Sequence, residues 1–214
     1  MGRPSRVITV GELYHVTIRG NNRQSIFGDD LDRREYLMLL ADVTHRSRVV
    51  VHAFVLMPNH VHLLAQPLAE GEGLSRAVQR LNATYAKYMN RRYERIGHLF
   101  QGRFHSTHVD RDTYLLVVSR YIHNNPVRAG LVRQAIDFPW SSVKAFTGEL
   151  DLRSSHDRLI SRLVQTGLTL SLLLGEVADQ PKAYLQFLRS VSDTEKLCQR
   201  KSVPDTEVIP RGGL

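Results

Sequence analysis

Phe54-Val55-Leu56-Met57-Pro58-Asn59-His60-Val61-His62-Leu63-Leu64 is the stretch from which the rest of the chain can be read. Pro58-Asn59 breaks an apolar run, so two strands are expected to meet here as a hairpin. Successive side chains on a strand point to opposite faces, so His60 and His62 share one face and Val61 points the other way. Two imidazoles side by side on a rigid strand can hold one divalent cation, with a third ligand from elsewhere. Two satisfied histidines in a half-buried strand are the other reading, and residue type alone favours it.

Upstream, Leu13-Tyr14-His15-Val16-Thr17-Ile18-Arg19 alternates and is rich in β-formers, so it is a first strand. The polar turn Gly20-Asn21-Asn22-Arg23-Gln24 ends it. A helix is expected from Asp29-Asp30 to about Thr44, its acids suiting the positive end of the helix dipole. Val49–Leu56 and His60–Ala65 form the hairpin. Downstream, a long helix from about Leu74 to Tyr93 buries Leu74, Ala77, Val78, Leu81, Tyr85 and Tyr88. Its other side carries Arg76, Arg80, Lys87, Arg91 and Arg92. Gly97-His98-Leu99-Phe100-Gln101-Gly102-Arg103 leads into a strand over 104–109. A last helix runs from Arg111 to about Asn124, where Pro126 is expected to stop it.

The order β-α-β-β-α-β-α predicts an α+β fold. Its first six elements form a ferredoxin-like split βαβ sandwich, one antiparallel sheet with helices on one face, and the seventh helix lies beside it. Residues 1–150 are expected to form this domain. Residues 151–214 form a small helical C-terminal extension with a frayed end, its short helices marked by Leu159, Leu163, Val164 and the leucines of 168–174, then by 182–191.

The 214 residues carry a net charge of +8. Between Arg76 and Arg133 stand eleven Lys/Arg against three acids, a local surplus equal to the net charge of the whole chain. Such a concentration fits a polyanionic partner, with nucleic acid foremost, or a merely solvated basic face. No apolar run reaches membrane-spanning length, and no signal peptide is expected. Cys198 is the lone cysteine, which excludes an internal disulfide and a cysteine-based zinc site and suits a reducing cytoplasm.

Tyr121 and Asn125 lie at i and i+4 in Arg120-Tyr121-Ile122-His123-Asn124-Asn125-Pro126-Val127, on one helical face. A cation held by His60, His62 and the Asn125 side-chain oxygen would lie within reach of the Tyr121 hydroxyl. It would polarise a phosphate for attack by that hydroxyl. Hard phosphate ligands suit Mg²⁺ or Mn²⁺, and manganese tolerates imidazole better. Among the other tyrosines, Tyr85 and Tyr88 have core spacing and Tyr114 lacks an amide one turn on. His123 points away from Tyr121 on the helix, in a structural or DNA-facing place.

Five stretches in order carry a family resemblance: Tyr14-His15-Val16-Thr17-Ile18-Arg19-Gly20-Asn21, Asp29-Asp30-Leu31-Asp32-Arg33, Met57–Leu64, Gly102-Arg103-Phe104 and Tyr121–Val127. Together they resemble the HUH superfamily of single-tyrosine transposases, in its REP-associated branch, over about residues 7–145. The resemblance implies cleavage and strand transfer of single-stranded or hairpin DNA through a 5′-phosphotyrosine, with Tyr121 as nucleophile and Asn125 as third metal ligand. Insertion-sequence relatives often have a glutamine at that ligand position. The resemblance also implies a bacterial cytoplasmic protein at the nucleoid, as a monomer or a homodimer.

Arg76, Arg80, Lys87, Arg91 and Arg103 are then candidate DNA-backbone contacts. Phe104, like Phe100, either stacks on an unpaired base or fills the core. Arg3 and Arg6 form an arm for a minor groove or a disordered terminus. Asn21 and Arg23 lie on a loop placed to read a base, by fold analogy. Two rivals stand beside the strand-transfer enzyme. One is a domesticated protein that binds hairpin DNA without cutting it; the other is a metal hydrolase that uses only His60 and His62.

Overall fold

The computed structural model describes residues 8–69, 73–109, 114–174 and 180–190. Four strands, β1 (Leu13–Arg19), β2 (Val49–Met57), β3 (His60–Pro67) and β4 (His105–Val109), form one sheet in the order β2-β3-β1-β4. Every neighbouring pair is antiparallel. The two crossovers are α1 (Asp30–Arg46) and α2 (Gly73–Arg92). This is the split βαβ order, and it puts β1 and β3 at the centre.

The hairpin holds because Pro58-Asn59 cannot extend the ladder and Met57 pairs with His60 across the two-residue turn. Val51, Leu63 and Ala65 share a cleft with Leu40 and Val43 of α1 and Leu74, Ala77, Val78 and Leu81 of α2, so both crossovers cover one face of the sheet. By alternation His60 and His62 take the other face. That face is covered by α3 (Tyr114–Arg128), which packs across β2, β3 and β4. The expected sandwich, with both crossover helices on one face, is therefore the fold observed, and the added helix α3 lies against the opposite face. The sheet is covered on both faces, and α3 roofs the histidines.

The expected stop of α3 at Pro126 is wrong, because the helix runs through Pro126 to Arg128. A proline this close to the end costs only its own hydrogen bond. The stop is set by Gly130, whose φ of 67° is left-handed. Leu131 N donates to Pro126 O at 2.9 Å and Gly130 N to Val127 O at 3.0 Å, a Schellman motif that satisfies the last carbonyls. The expected start at Arg111 lies outside the described residues.

Asp29 and Asp32 start α1 as a capping box: Asp29 Oδ1 accepts from Leu31 N and Asp32 N, and Asp32 Oδ2 accepts from Asp29 N. Asp32 is also the hub of a buried network. Its side chain is 0% exposed and accepts from Gly28 N (2.7 Å), Tyr93 Oη (2.8 Å), Tyr88 Oη (3.1 Å) and the Arg92 guanidinium. The network ties the start of α1 to the end of α2. Asp32→Ala would strand these donors, so we expect a loss of about 3 kcal/mol in urea unfolding, where an exposed charge deletion costs well under 1.

Edge strand β2 is covered by the backbone of Trp140–Ser142 and by Gln165. Leu56 N donates to Trp140 O, Ser142 N to Phe54 O, and Gln165 N to Val51 O. The edge is thus closed against further strand pairing. Beyond it lie α4 (Val143–Thr147), which the sequence did not suggest, and α5 (Ser155–Leu163), α6 (Gly167–Leu174) and α7 (Gln180–Arg189), where short helices were expected. Ile160, Leu163, Leu170, Tyr184 and Leu188 from these helices join the hydrophobic cluster of the sheet. No described helix is long and apolar enough to cross a membrane.

Candidate active site

His60 and His62 leave β3 on one face, with ring centroids 4.8 Å apart and planes at 86°. Asn59 Oδ1 accepts from His60 Nδ1 at 2.6 Å. His62 Nδ1 contacts His15 Nε2 at 2.9 Å and Thr17 Oγ1 at 3.2 Å, from the neighbouring strand where Thr17 is its register partner. The Nδ1 atoms are thus engaged by neighbours that orient both rings. Nε2 is the remaining nitrogen of each ring, and both Nε2 atoms are buried.

Tyr121 projects from α3 onto this face within the same chain. Its ring lies 5.5 Å from His62 at 80° and 5.8 Å from His15 at 75°. The Arg128 guanidinium, seven residues or about two turns further along α3, lies 5.3 Å from the ring centroid. Asn125, one turn from Tyr121, is buried, and its amide nitrogen has no hydrogen-bond partner among the described residues. Among the described residues no group of three His, Cys, Asp or Glu could hold a metal. The chemistry present is two oriented imidazoles, a buried carboxamide and a phenol.

His15 stands in the first strand and in a family motif, and the sequence assigns it no role at the site. Its side chain stacks on His62 with centroids 5.0 Å apart, and it is buried. The alternation of β1 puts His15 and Thr17 on one face, but only the β1–β3 register shows that this face meets His62.

The expected DNA contacts are more dispersed. Arg76, Arg80, Lys87 and Arg91 are exposed on α2, the helix that covers the sheet face away from the histidines. Asn21, Arg23 and Arg103 are exposed. Asn21 lines a surface groove of about 400 Å³ with Asn82, Ala83, Ala86 and the 97–102 segment. Phe104 is 7% exposed and belongs to the core cluster, so the core reading of its ring is the one this structure fits. Arg3 and Arg6 lie outside the described residues.

His123 is structural rather than DNA-facing. It is fully buried, with Nδ1 2.6 Å from Tyr184 Oη and Nε2 2.7 Å from Ser142 Oγ. Burial pushes its pKa down to about 3 from an ordinary 6.5. The unfolded chain therefore binds a proton that the folded chain refuses, and this contribution to stability is lost as pH falls from about 6.5 towards 3. We expect the urea midpoint to fall over that window, and a His123→Gln variant to show a flatter decline.

A split βαβ sheet with a His-hydrophobe-His pair on a central strand, roofed by a helix that brings a tyrosine onto it, defines the HUH tyrosine class. The model of one family, the IS200-like transposases, matches residues 10–125, from the first strand to Asn125. The chain belongs to that family of HUH tyrosine transposases. Among solved structures it is similar to a REP-associated tyrosine transposase bound to a REP hairpin, at 19% identity and a TM-score of 0.58, over 69% of this chain and 86% of that one. That likeness bears on the fold. A candidate transposase from Deinococcus radiodurans aligns at 19% identity over 57% of this chain and 97% of its own, with a TM-score of 0.40 too low to bear on anything. No curated protein matches.

Proposed function

We propose that the chain cleaves and rejoins single-stranded DNA at a hairpin or palindrome, using Tyr121 as nucleophile and a divalent cation held by His60, His62 and Asn125. The observation that carries this is the Tyr121 ring packed on His62, with Asn125 one turn along the same helix. The donor set fits the cation. Neutral imidazoles ligate through one nitrogen while the other is held by a neighbour, which is how Asn59, His15 and Thr17 stand here. Asn125, buried one turn along α3 from Tyr121, offers its amide oxygen as the third donor. When bound, Mg²⁺ or Mn²⁺ supplies charge stabilisation to a phosphate.

The residues do the rest. The Tyr121 oxygen attacks phosphorus and the bond from phosphorus to the 3′-oxygen breaks. The tyrosine proton is accounted for on the released 3′-hydroxyl. The product is a 5′-phosphotyrosine, and attack by another 3′-hydroxyl reverses the step and rejoins strands. Arg128, on the tyrosine ring, is placed to meet a phosphate at the mouth of the site.

The hairpin in this reading comes from the neighbour bound to a REP hairpin and from the basic surplus of residues 76–133. Arg76, Arg80, Lys87, Arg91 and Arg103 are proposed to hold DNA backbone, and Asn21 and Arg23 to meet bases at the groove. Arg3 and Arg6 are proposed as an arm for a minor groove. The reading places the protein in the bacterial cytoplasm at the nucleoid, acting in cis within one chain.

A labelled single-stranded hairpin incubated with the protein and Mn²⁺ tests the reading. A covalent protein–DNA adduct supports it. Binding without adduct under either metal favours a hairpin-binding protein that does not cut.

A further inference from the structure

Helix α7 meets α3 on a side that the proposed chemistry does not use. Arg120, His123 and Asn124 lie at i, i+3 and i+4, on a side of α3 distinct from that of Tyr121 and Asn125. All three reach α7 or the residue that ends it. Arg120 Nη1 donates to Ser190 O and Oγ, at 3.1 and 3.0 Å, and Asn124 Nδ2 donates to Leu188 O at 3.0 Å. His123 Nδ1 stands 2.6 Å from Tyr184 Oη. The Tyr184 ring stacks on Phe146 at 4.7 Å, and the Arg120 guanidinium lies 4.7 Å from the centre of the Phe187 ring.

The contact continues through α3 into the sheet. His123 Nε2 lies 2.7 Å from Ser142 Oγ, and Ser142 Oγ accepts from Phe54 N at 2.9 Å and donates to Phe54 O at 3.3 Å. One arrangement of protons satisfies the whole chain. Tyr184 O–H donates to His123 Nδ1, His123 Nε2–H donates to Ser142 Oγ, and Ser142 O–H donates to Phe54 O. A single directed row thus runs from α7 through α3 to β2, with Tyr184 and His123 each 0% exposed.

We propose that α7 is a latch that fixes the rotation of α3, and that Tyr184, His123 and Asn124 are positioning residues for Tyr121 and Asn125. Turning α3 enough to move Tyr121 off His62 breaks the buried bond to Tyr184 and the part-buried one to Leu188 and leaves their polar groups unpaired. The proposal rests on the site reading above, because it matters for cleavage only if Tyr121 and Asn125 work with His60 and His62. The metal ligands then come from two elements, β3 and α3, whose relative placement the latch sets.

The full-length double variant Tyr184→Phe/Asn124→Ala tests it. It removes two anchoring bonds and keeps the ring stack on Phe146, so the fold is retained. Amide exchange in α3 is expected to quicken about 10-fold or more while β1 and β3 keep their protection. Mn²⁺ affinity should fall about 5-fold or more, with the single-turnover rate of adduct formation on a saturating hairpin down about 10-fold. Hairpin affinity should stay within about two-fold. Unchanged exchange in α3 would overturn the latch. So would faster exchange with Mn²⁺ affinity and adduct rate untouched, or a loss of hairpin binding as large as the loss of rate. If the wild type itself forms no adduct, the cleavage reading fails, while exchange and Mn²⁺ affinity still decide the latch.

Discussion

Tyr121→Phe is expected to abolish the covalent protein–DNA adduct, a loss on the order of 10⁵-fold or more in strand cleavage, while hairpin binding stays within about two-fold. The variant removes one oxygen and nothing else. Tyr121 is 3% exposed, and its ring contacts to His15, His62 and Arg128 are all ring-face or ring-edge contacts that phenylalanine reproduces. A loss of adduct with unchanged unfolding therefore isolates the hydroxyl as nucleophile. Adduct that persists would move the nucleophile elsewhere. Turnover without adduct, surviving in the variant, would favour a hydrolase that uses only His60 and His62. Denaturing gel electrophoresis of the labelled strand separates these outcomes.

His62→Ala is expected to remove metal-dependent cleavage by about 10³-fold or more, since several kcal/mol of charge stabilisation go with the cation. His60→Ala should behave alike, because the two rings form one pair. His15→Ala separates holding from ligating. His15 contacts the nitrogen of His62 that would not bind the metal, so its loss should weaken Mn²⁺ binding about 10- to 100-fold and leave the ligands in place. Excess Mn²⁺ should then restore cleavage in His15→Ala and fail to do so in His62→Ala. Isothermal titration with Mn²⁺, beside adduct formation at rising Mn²⁺, reads both. If His15→Ala binds Mn²⁺ like the wild type, the contact at 2.9 Å orients nothing.

Much of this was legible in the sequence because it depends on local rules. Alternation in Leu13–Arg19 and around His60–His62, with a Pro-Asn break between two apolar runs, is enough to lay out β1 and the hairpin. The one-turn spacing of Tyr121 and Asn125 puts them together on any helix. What failed depends on information that a strand or helix does not carry by itself. Pro126 was expected to end α3, but a proline two residues from a helix end costs one bond, and Gly130 in the left-handed region is the true stop.

The side of the sheet that α3 takes was not readable either. It follows from the long return of the chain along β2, where Trp140 O and Phe54 O pair the segment to the edge. His15 passed as a strand former because cross-strand register is set by the whole sheet. The basic row of α2 was visible as a row, yet only the packing of Leu74, Val78 and Leu81 against Leu63 and Ala65 turns it away from the histidines. Any DNA held there must reach the site around the edge of the sheet, which is a geometric demand on the substrate.

The most direct measurement is anomalous diffraction from crystals of the protein with a DNA hairpin and Mn²⁺. The expected result is one manganese peak bound by the Nε2 atoms of His60 and His62 and by Asn125 Oδ1, with the Tyr121 oxygen directed at a phosphate on the same ion. A manganese ion held by other residues, or a Tyr121 hydroxyl turned away from the histidine face in the DNA-bound protein, would contradict the account.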